Sequence, residues 1–376
     1  MKLNISDLLD GLEENVIPIR SKPVASAKRI KELTMKKIET QAPRRKTGAP
    51  GGWKRMLTLA AVAVMILALG VTAYALISHQ EFFRNAYGTG IEGQEARSED
   101  VLTPDGDVLK TEHFPAEERV ENDPEKTEEL IGSYVSPVGF RLTLADYTIT
   151  VEDVVLDANG IGAVSVLVEN PKGHSFRGDD QLHYPYLGCC VRGSGETLIS
   201  FRDFPVEGSD TGTSIRQVYY LCPAGALGAE EDVLLNFSVI GEAGELASGC
   251  VMIPAAERVP LTALRSEGAE AELSPVGLHL RYTFDPGFSG EVWYQEYVES
   301  EITVCFRDGS SYTVKGADVI NSPVSTQHDG QLWLAFNRVV DPAEVTEIRI
   351  TGSLMVETSE TNGTQEKSYS ITLTKG

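Results

Sequence analysis

The run from Met56 to Ile77, MLTLAAVAVMILALGVTAYALI, contains no Asp, Glu, Lys, Arg, Asn, Gln or His across 22 residues. As a helix rising 1.5 Å per residue it reaches about 33 Å, against roughly 30 Å of bilayer hydrocarbon. A buried helix of a soluble protein ordinarily keeps a polar stripe, and this run is apolar on every face. It reads as one transmembrane helix over 56–78, and the rest of the chain is organised around it. Residues 1–55 carry 13 Lys/Arg against 6 Asp/Glu, whereas residues 79–376 carry 20 against 49. The bases just ahead of the run (Arg44, Arg45, Lys46, Lys54, Arg55) put the N-terminus in the cytoplasm and the long C-terminal part outside. Ala73-Tyr74-Ala75 resembles a signal-peptidase site, but 55 residues ahead of the apolar run are too many for a secretory signal. The expected location is the cell membrane, crossed once. A formal charge of −22 removes nucleic acid as a partner, since a polyanion needs a basic footprint.

The basic tail, 1–55, has two apolar stripes at helical spacing. Leu8, Leu9 and Leu12 form the first, and Ile30, Leu33 and Ile38 the second, in a segment that Ser26 can cap. So few large apolar groups cannot build a core of their own. The tail therefore either lies on anionic lipid through its lysines or folds these six residues against a protein partner.

Beyond the membrane, residues 79–131 hold 15 acids and five bases and read as an acidic linker with a short helix at its start. From Gly132 onward the apolar residues alternate. Val138, Phe140, Leu142 and Leu144 form one such series, Val164, Val166 and Val168 a second, and Val276, Leu278, Leu280 and Tyr282 a third. Asp157-Ala158-Asn159-Gly160 and Asp308-Gly309 supply turns, and no long helical pattern intervenes. The expected fold is mainly β: two tandem Ig-like β-sandwiches, 132–256 and 257–376, outside the membrane. Ser136-Pro137-Val138-Gly139 recurs as Ser274-Pro275-Val276-Gly277, and Cys190-Val191-Arg192 resembles Cys305-Phe306-Arg307, which points to duplication.

Chemical signatures are sparse. There is no His-Glu-x-x-His, Gly-x-Ser-x-Gly, phosphate loop or Cys-x-x-Cys, so no enzyme, cofactor or catalytic residue is assigned. His183 with Cys189, Cys190 and Cys222 offers zinc-ligand types at a spacing that fits no standard site. Asp105-Gly106-Asp107 reads as solvated linker. Five cysteines leave at least one unpaired; a single bridge from Cys189 or Cys190 to Cys222 or Cys250 competes with buried free thiols.

The basic tail with Arg29-Ile30-Lys31-Glu32-Leu33-Thr34-Met35-Lys36-Lys37-Ile38, the single span and the strand-rich stretch from Tyr147-Thr148-Ile149-Thr150-Val151 to Glu169-Asn170-Pro171-Lys172-Gly173 together resemble proteins bearing domain of unknown function 4179. The resemblance covers roughly residues 1–240, and the C-terminal unit is similar to the immunoglobulin-like domain often found after it. It implies a membrane-bound anti-sigma factor of Gram-positive bacteria, with an extracytoplasmic-function sigma factor held by Leu8, Leu9, Leu12, Ile30, Leu33 and Ile38 and an envelope cue sensed outside. The tail has neither His nor Cys, so a zinc-containing anti-sigma domain is excluded. The competing expectation is a surface binding or adhesion module, held by its anchor and engaging an unidentified extracellular ligand.

Overall fold

Alternation in the second half of the chain becomes strands, but the strands pack more deeply than their pattern implies. The computed structural model describes residues 79–102, 108–175, 184–195, 197–225, 227, 231–254, 257–283, 291–328, 330–360 and 363–375. The six tail residues named above, the apolar run, Asp105-Gly106-Asp107 and His183 lie outside the described residues. Among the described residues no helix is long and apolar enough to cross a membrane.

Residues 79–87 are helical (α1), and the hairpin β1 (Arg97–Leu102) and β2 (Val108–Phe114) follows. The helix α2 (Pro124–Ile131) begins at Asp123, whose carboxylate accepts from the Glu125 and Lys126 amides, with Pro124 filling a position whose amide would go unbonded. Eight strands come next. These are β3 (Ser136–Leu144), β4 (Tyr147–Leu156), β5 (Gly162–Glu169), β6 (Tyr186–Gly193), β7 (Ile199–Pro205), β8 (Ser214–Pro223), β9 (Val233–Gly241) and β10 (Gly244–Ile253). They form an antiparallel sheet β3-β4-β5-β8-β7 facing a smaller sheet β10-β9-β6. In β9 the alternation is unbroken, with Val233, Leu235, Phe237 and Val239 inward.

The exceptions are β8 and its neighbour β5, where nearly every position is buried. Alternate residues enter different cores. Ile215, Tyr219 and Leu221 join Val164, Val166 and Val168 between the two sheets. Val218, Tyr220 and Cys222 point the other way and pack with Ala163 against Phe82, Phe83, Tyr87, Val276 and Trp333. At β5 and β8 the larger sheet is thus a middle wall covered on both faces, which a half-buried reading of these strands did not foresee.

The remaining strands are β11 (Thr262–Ser266), β12 (Ala269–Leu273), β13 (Gly277–Tyr282), β14 (Val292–Phe306), β15 (Ser311–Lys315), β16 (Ser325–His328), β17 (Gln331–Ala335), β18 (Val345–Thr358) and β19 (Gln365–Thr374). They make one nine-stranded antiparallel sheet, β15-β14-β18-β19-β11-β12-β13-β17-β16, curled into a half-barrel. Its two parts meet through the pair Arg265 and Thr374. They line a common core in which Leu264, Leu273 and Leu280 meet Ile302, Val304, Ile348 and Leu373.

Residues 79–131 depart from an acidic spacer. Phe82, Phe83, Ala86 and Tyr87 lie on one helical stripe and are buried, as are Ile91 and Ile131. An average over charge conceals such a stripe. Residues 79–376 form one compact unit, and the boundary expected near residue 256 falls between β10 and β11, with halves that share the core holding Phe82, Val155, Tyr220, Val276 and Trp333. The two Ser-Pro-Val-Gly copies also differ in setting. The first lies within β3, whereas the second is the tight turn into β13. There a Cβ on Gly277 would come within 2.5 Å of the Ile161 side chain.

Candidate functional site at the junction of the two β halves

Two buried polar clusters lie where α1, the segment 115–121, the first sandwich and the curled sheet meet. The first is built on Arg119, which the middle wall and a helix end enclose. Its Nη1 donates to Tyr220 Oη at 2.7 Å and to the Ala86 carbonyl at 3.4 Å, and Nη2 pairs with Glu117 at 2.5 Å. The Tyr220 hydroxyl in turn donates to the Ala86 carbonyl. The guanidinium lies 5.5 Å from the ring centres of both Phe204 and Tyr220. Burial opposes its charge, but Tyr220 and Glu117 outweigh that and hold its pKa above the ordinary guanidinium value. The segment carrying Glu117 is itself tied to the curled sheet: Asn321 Oδ1 accepts from the Glu118 amide at 2.7 Å, and Asn337 Nδ2 donates to the Glu118 carbonyl at 2.8 Å. One arginine therefore joins the helix end, the segment 115–121 and the middle wall.

The second cluster is built on the turn from β4 to β5. Asp157 Oδ1 accepts from the Asn159 and Ile161 amides, both at 2.9 Å, and Gly160 takes φ +84° to close the turn. Oδ2 accepts from Ser274 Oγ at 2.7 Å, a bond from one half to the other. Burial is the main cause of the raised Asp157 pKa, pushed up to about 6 despite these donors. Beside it, Asn159 Nδ2 donates to Glu272 at 3.2 Å, and Glu272 meets His279 Nδ1 at 2.9 Å. The His279 ring stacks on Trp333 at 4.6 Å, and its Nε2 faces Gln331 at 2.9 Å. Thr326 Oγ1 adds a bond to the Cys222 carbonyl at 3.2 Å. Burial lowers the pKa of Arg258, whose Nη2 donates to the Glu231 carbonyl at 3.0 Å.

These groups bond to one another. A cleft lined by Tyr134, Val154, Leu156, Ile253, Glu257 and Arg258 has room for little more than a water molecule. The arrangement is a joint that fixes the two halves and α1 in one relation. Sequence reasoning singled out the Asp157 turn and the Ser274 repeat as backbone features only; Arg119 and Tyr220 carried no signal.

The cysteines are free among the described residues. Cys222 is buried at the junction, and of the two alternatives the free thiols are found: no bridge joins Cys189 or Cys190 to Cys222 or Cys250. Successive residues Cys189 and Cys190 face opposite sides of β6. Cys190 and Cys250 flank Asn236 in register, one on each neighbouring strand, so their Cα atoms are about 9 to 10 Å apart, too far for a disulfide. Among the described residues no group of three His, Cys, Asp or Glu is placed to hold a metal ion.

No protein-family model matches the chain, and comparison with curated proteins finds no match. Among solved structures, a conserved domain protein from Bacillus anthracis is similar at 14% identity and a TM-score of 0.36, covering 64% of this chain and 92% of that one. Cadherin-like domains 1 to 4 of zebrafish RET match at 10% identity and 0.18, covering 73% and 65%. The C-terminal domain of the Streptococcus pyogenes antigen I/II-family protein AspA matches at 10% and 0.14, covering 60% and 99%. Likenesses at these scores carry no argument about what the chain does.

Proposed function

We propose that this chain is a single-pass membrane regulator, similar to the domain of unknown function 4179 proteins, that restrains a sigma factor through residues 1–55 and senses an envelope cue outside. On this reading the outer unit is a tandem pair of Ig-like sandwiches, the second curled at its Arg265 seam. The observation that carries the proposal is the position of α1. It follows the apolar run directly in the chain, and its buried face, Phe82, Phe83, Ala86 and Tyr87, enters the core that both β halves share. An inert tether has no need of such a connection, whereas a sensor needs its outer unit fixed to its span. The tail is compatible with the same reading, because its two apolar stripes suit a helix-in-groove contact with a folded partner.

The test is capture of cytoplasmic proteins on residues 1–55, repeated with Ile30→Asp and Leu33→Asp. The expected outcome is recovery of a sigma factor by the parent segment and its loss with either substitution. Equal recovery by the variants removes the reading. A surface binding module is the second reading, favoured by the exposed aromatic residues of β14. It requires that scrambling the tail at constant charge leave function unchanged.

A further inference from the structure

The long strand β14 is paired along its whole length on one side only. Against β18 its register runs from Val292 opposite Thr358 to Phe306 opposite Val345. On the other side β15 covers just Ile302 to Cys305. Gln327 Nε2 caps the Tyr297 carbonyl at 2.7 Å, which shows that this carbonyl points away from β18. By alternation Gln295 turns its N–H and C=O the same way, and among the described residues nothing bonds to them. Among the described residues the stretch 292–296 is therefore an open sheet edge.

Its side chains are unlike those that protect edges. Among the described residues, four of the eleven exposed large apolar side chains fall within the seven positions 292–298: Val292, Trp293 (67% exposed), Tyr294 and Val298. The register shifts between Val292 and Tyr294, and that bulge leaves Trp293 without a cross-strand partner, turned outward. No lysine lies within 291–298 to guard the edge. Residues 291–301 contain no Lys or Arg; Glu291, Glu296 and Glu301 are not buried, Glu299 is buried beside Lys315, and Glu357 lies opposite Tyr294. Edge-to-edge pairing with a second copy would set Glu291, Glu296 and Glu357 against their counterparts, on a unit already carrying 49 acids to 20 bases.

We propose that this edge binds an extended cationic peptide segment as an added antiparallel strand. Its backbone bonds to Gln295, its Lys or Arg side chains lie over Trp293 and Tyr294, and their charge is met by Glu291, Glu296 and Glu357. The inference names a class of partner for the outer unit and rests on β14 alone, so it survives or fails independently of what the tail binds.

The experiment uses the purified full-length chain and fluorescently labelled short peptides, read by anisotropy. The probe is alternating lysine and valine; the controls replace lysine by glutamate, or a central valine by proline. Binding of the lysine peptide is expected, weakening with added salt and by about tenfold or more in Trp293→Ser and in the double variant Glu291→Gln, Glu296→Gln. The glutamate and proline peptides are expected not to bind. Absence of binding by the parent chain, equal affinity for the proline peptide, or unchanged affinity in Trp293→Ser overturns the proposal. So does sedimentation showing a homodimer that Trp293→Ser dissolves, which would assign the edge to self-pairing.

Discussion

Replacing Asp157 by Asn should stabilise the protein at neutral pH and do nothing for it in acid. The carboxyl is buried, and its pKa rises from an ordinary 3.8 to about 6, chiefly because burial penalises the charged form. A folded-state pKa above the unfolded one means that the folded state holds the proton more tightly. The associated stability is fully present below about 3.8 and is lost as pH rises through about 6. That difference corresponds to about 3 kcal/mol. Asparagine preserves the geometry. Its Oδ1 accepts from the Asn159 and Ile161 amides, and its Nδ2 donates to Ser274 Oγ, whose proton turns to the Gly277 carbonyl at 3.3 Å. Burial raises the pKa of Asp203 and Glu299 as well. Only the difference between parent and variant therefore isolates residue 157. Urea unfolding of both proteins from pH 3.5 to 7.5 supplies it. The expected difference is near zero at the acid end and climbs to about 2 to 3 kcal/mol in favour of the Asp157→Asn variant at pH 7.5. A difference that does not change with pH, or a variant less stable than the parent at pH 7.5, refutes the assignment of a neutral-preferring carboxyl to this turn.

Truncating Phe83, fully buried on α1, to Ala should cost about 3 to 5 kcal/mol by thermal or urea unfolding, whereas Phe83 on a solvated spacer would cost nothing. Tyr87→Phe removes a buried hydroxyl that has no hydrogen-bond partner among the described residues and should be neutral or stabilising by about 1 kcal/mol in the same assay. A bismaleimide of about 8 to 10 Å reach should link exposed Cys190 to exposed Cys250 within one chain, seen by peptide mass mapping, while buried Cys222 reacts only on unfolding. Gly277→Ala should cost about 1 to 3 kcal/mol through contact with Ile161, loosening the turn that holds Ser274 against Asp157.

The strands and turns were legible because their signals are local. Val276, Leu278 and Leu280 alternate in and beside one strand, and Asp308-Gly309 closes a hairpin with Gly309 at φ +86°. What stayed hidden depends on elements distant in sequence. Ala163 and Tyr220 look like members of ordinary one-sided strands, and only the arrival of α1 and β17 on the far face buries them. Arg119 reads as a stray base among acids; its role exists only once Glu117, Tyr220 and the Ala86 carbonyl converge, across 101 residues in the case of Tyr220. The choice between a bridge and free thiols was open for a geometric reason invisible in spacing, namely that β9 runs between Cys190 and Cys250.

The burial of α1 also bears on how a signal would travel under the proposed membrane topology. Withdrawing the helix would expose Phe82, Phe83 and Tyr87, at roughly 1.5 to 3 kcal/mol each. It would also leave Arg119 and Tyr220 without the Ala86 carbonyl. The sum approaches the whole stability of a typical domain. A ligand can shift an equilibrium only by its difference in affinity for the two states, and a few kcal/mol at a distant edge such as β14 does not release a helix held this firmly. The outer unit and α1 then move as one body. A cue received outside would have to act by reorienting that body, by bringing copies together, or by cleavage in the chain ahead of His79, rather than by repacking the joint.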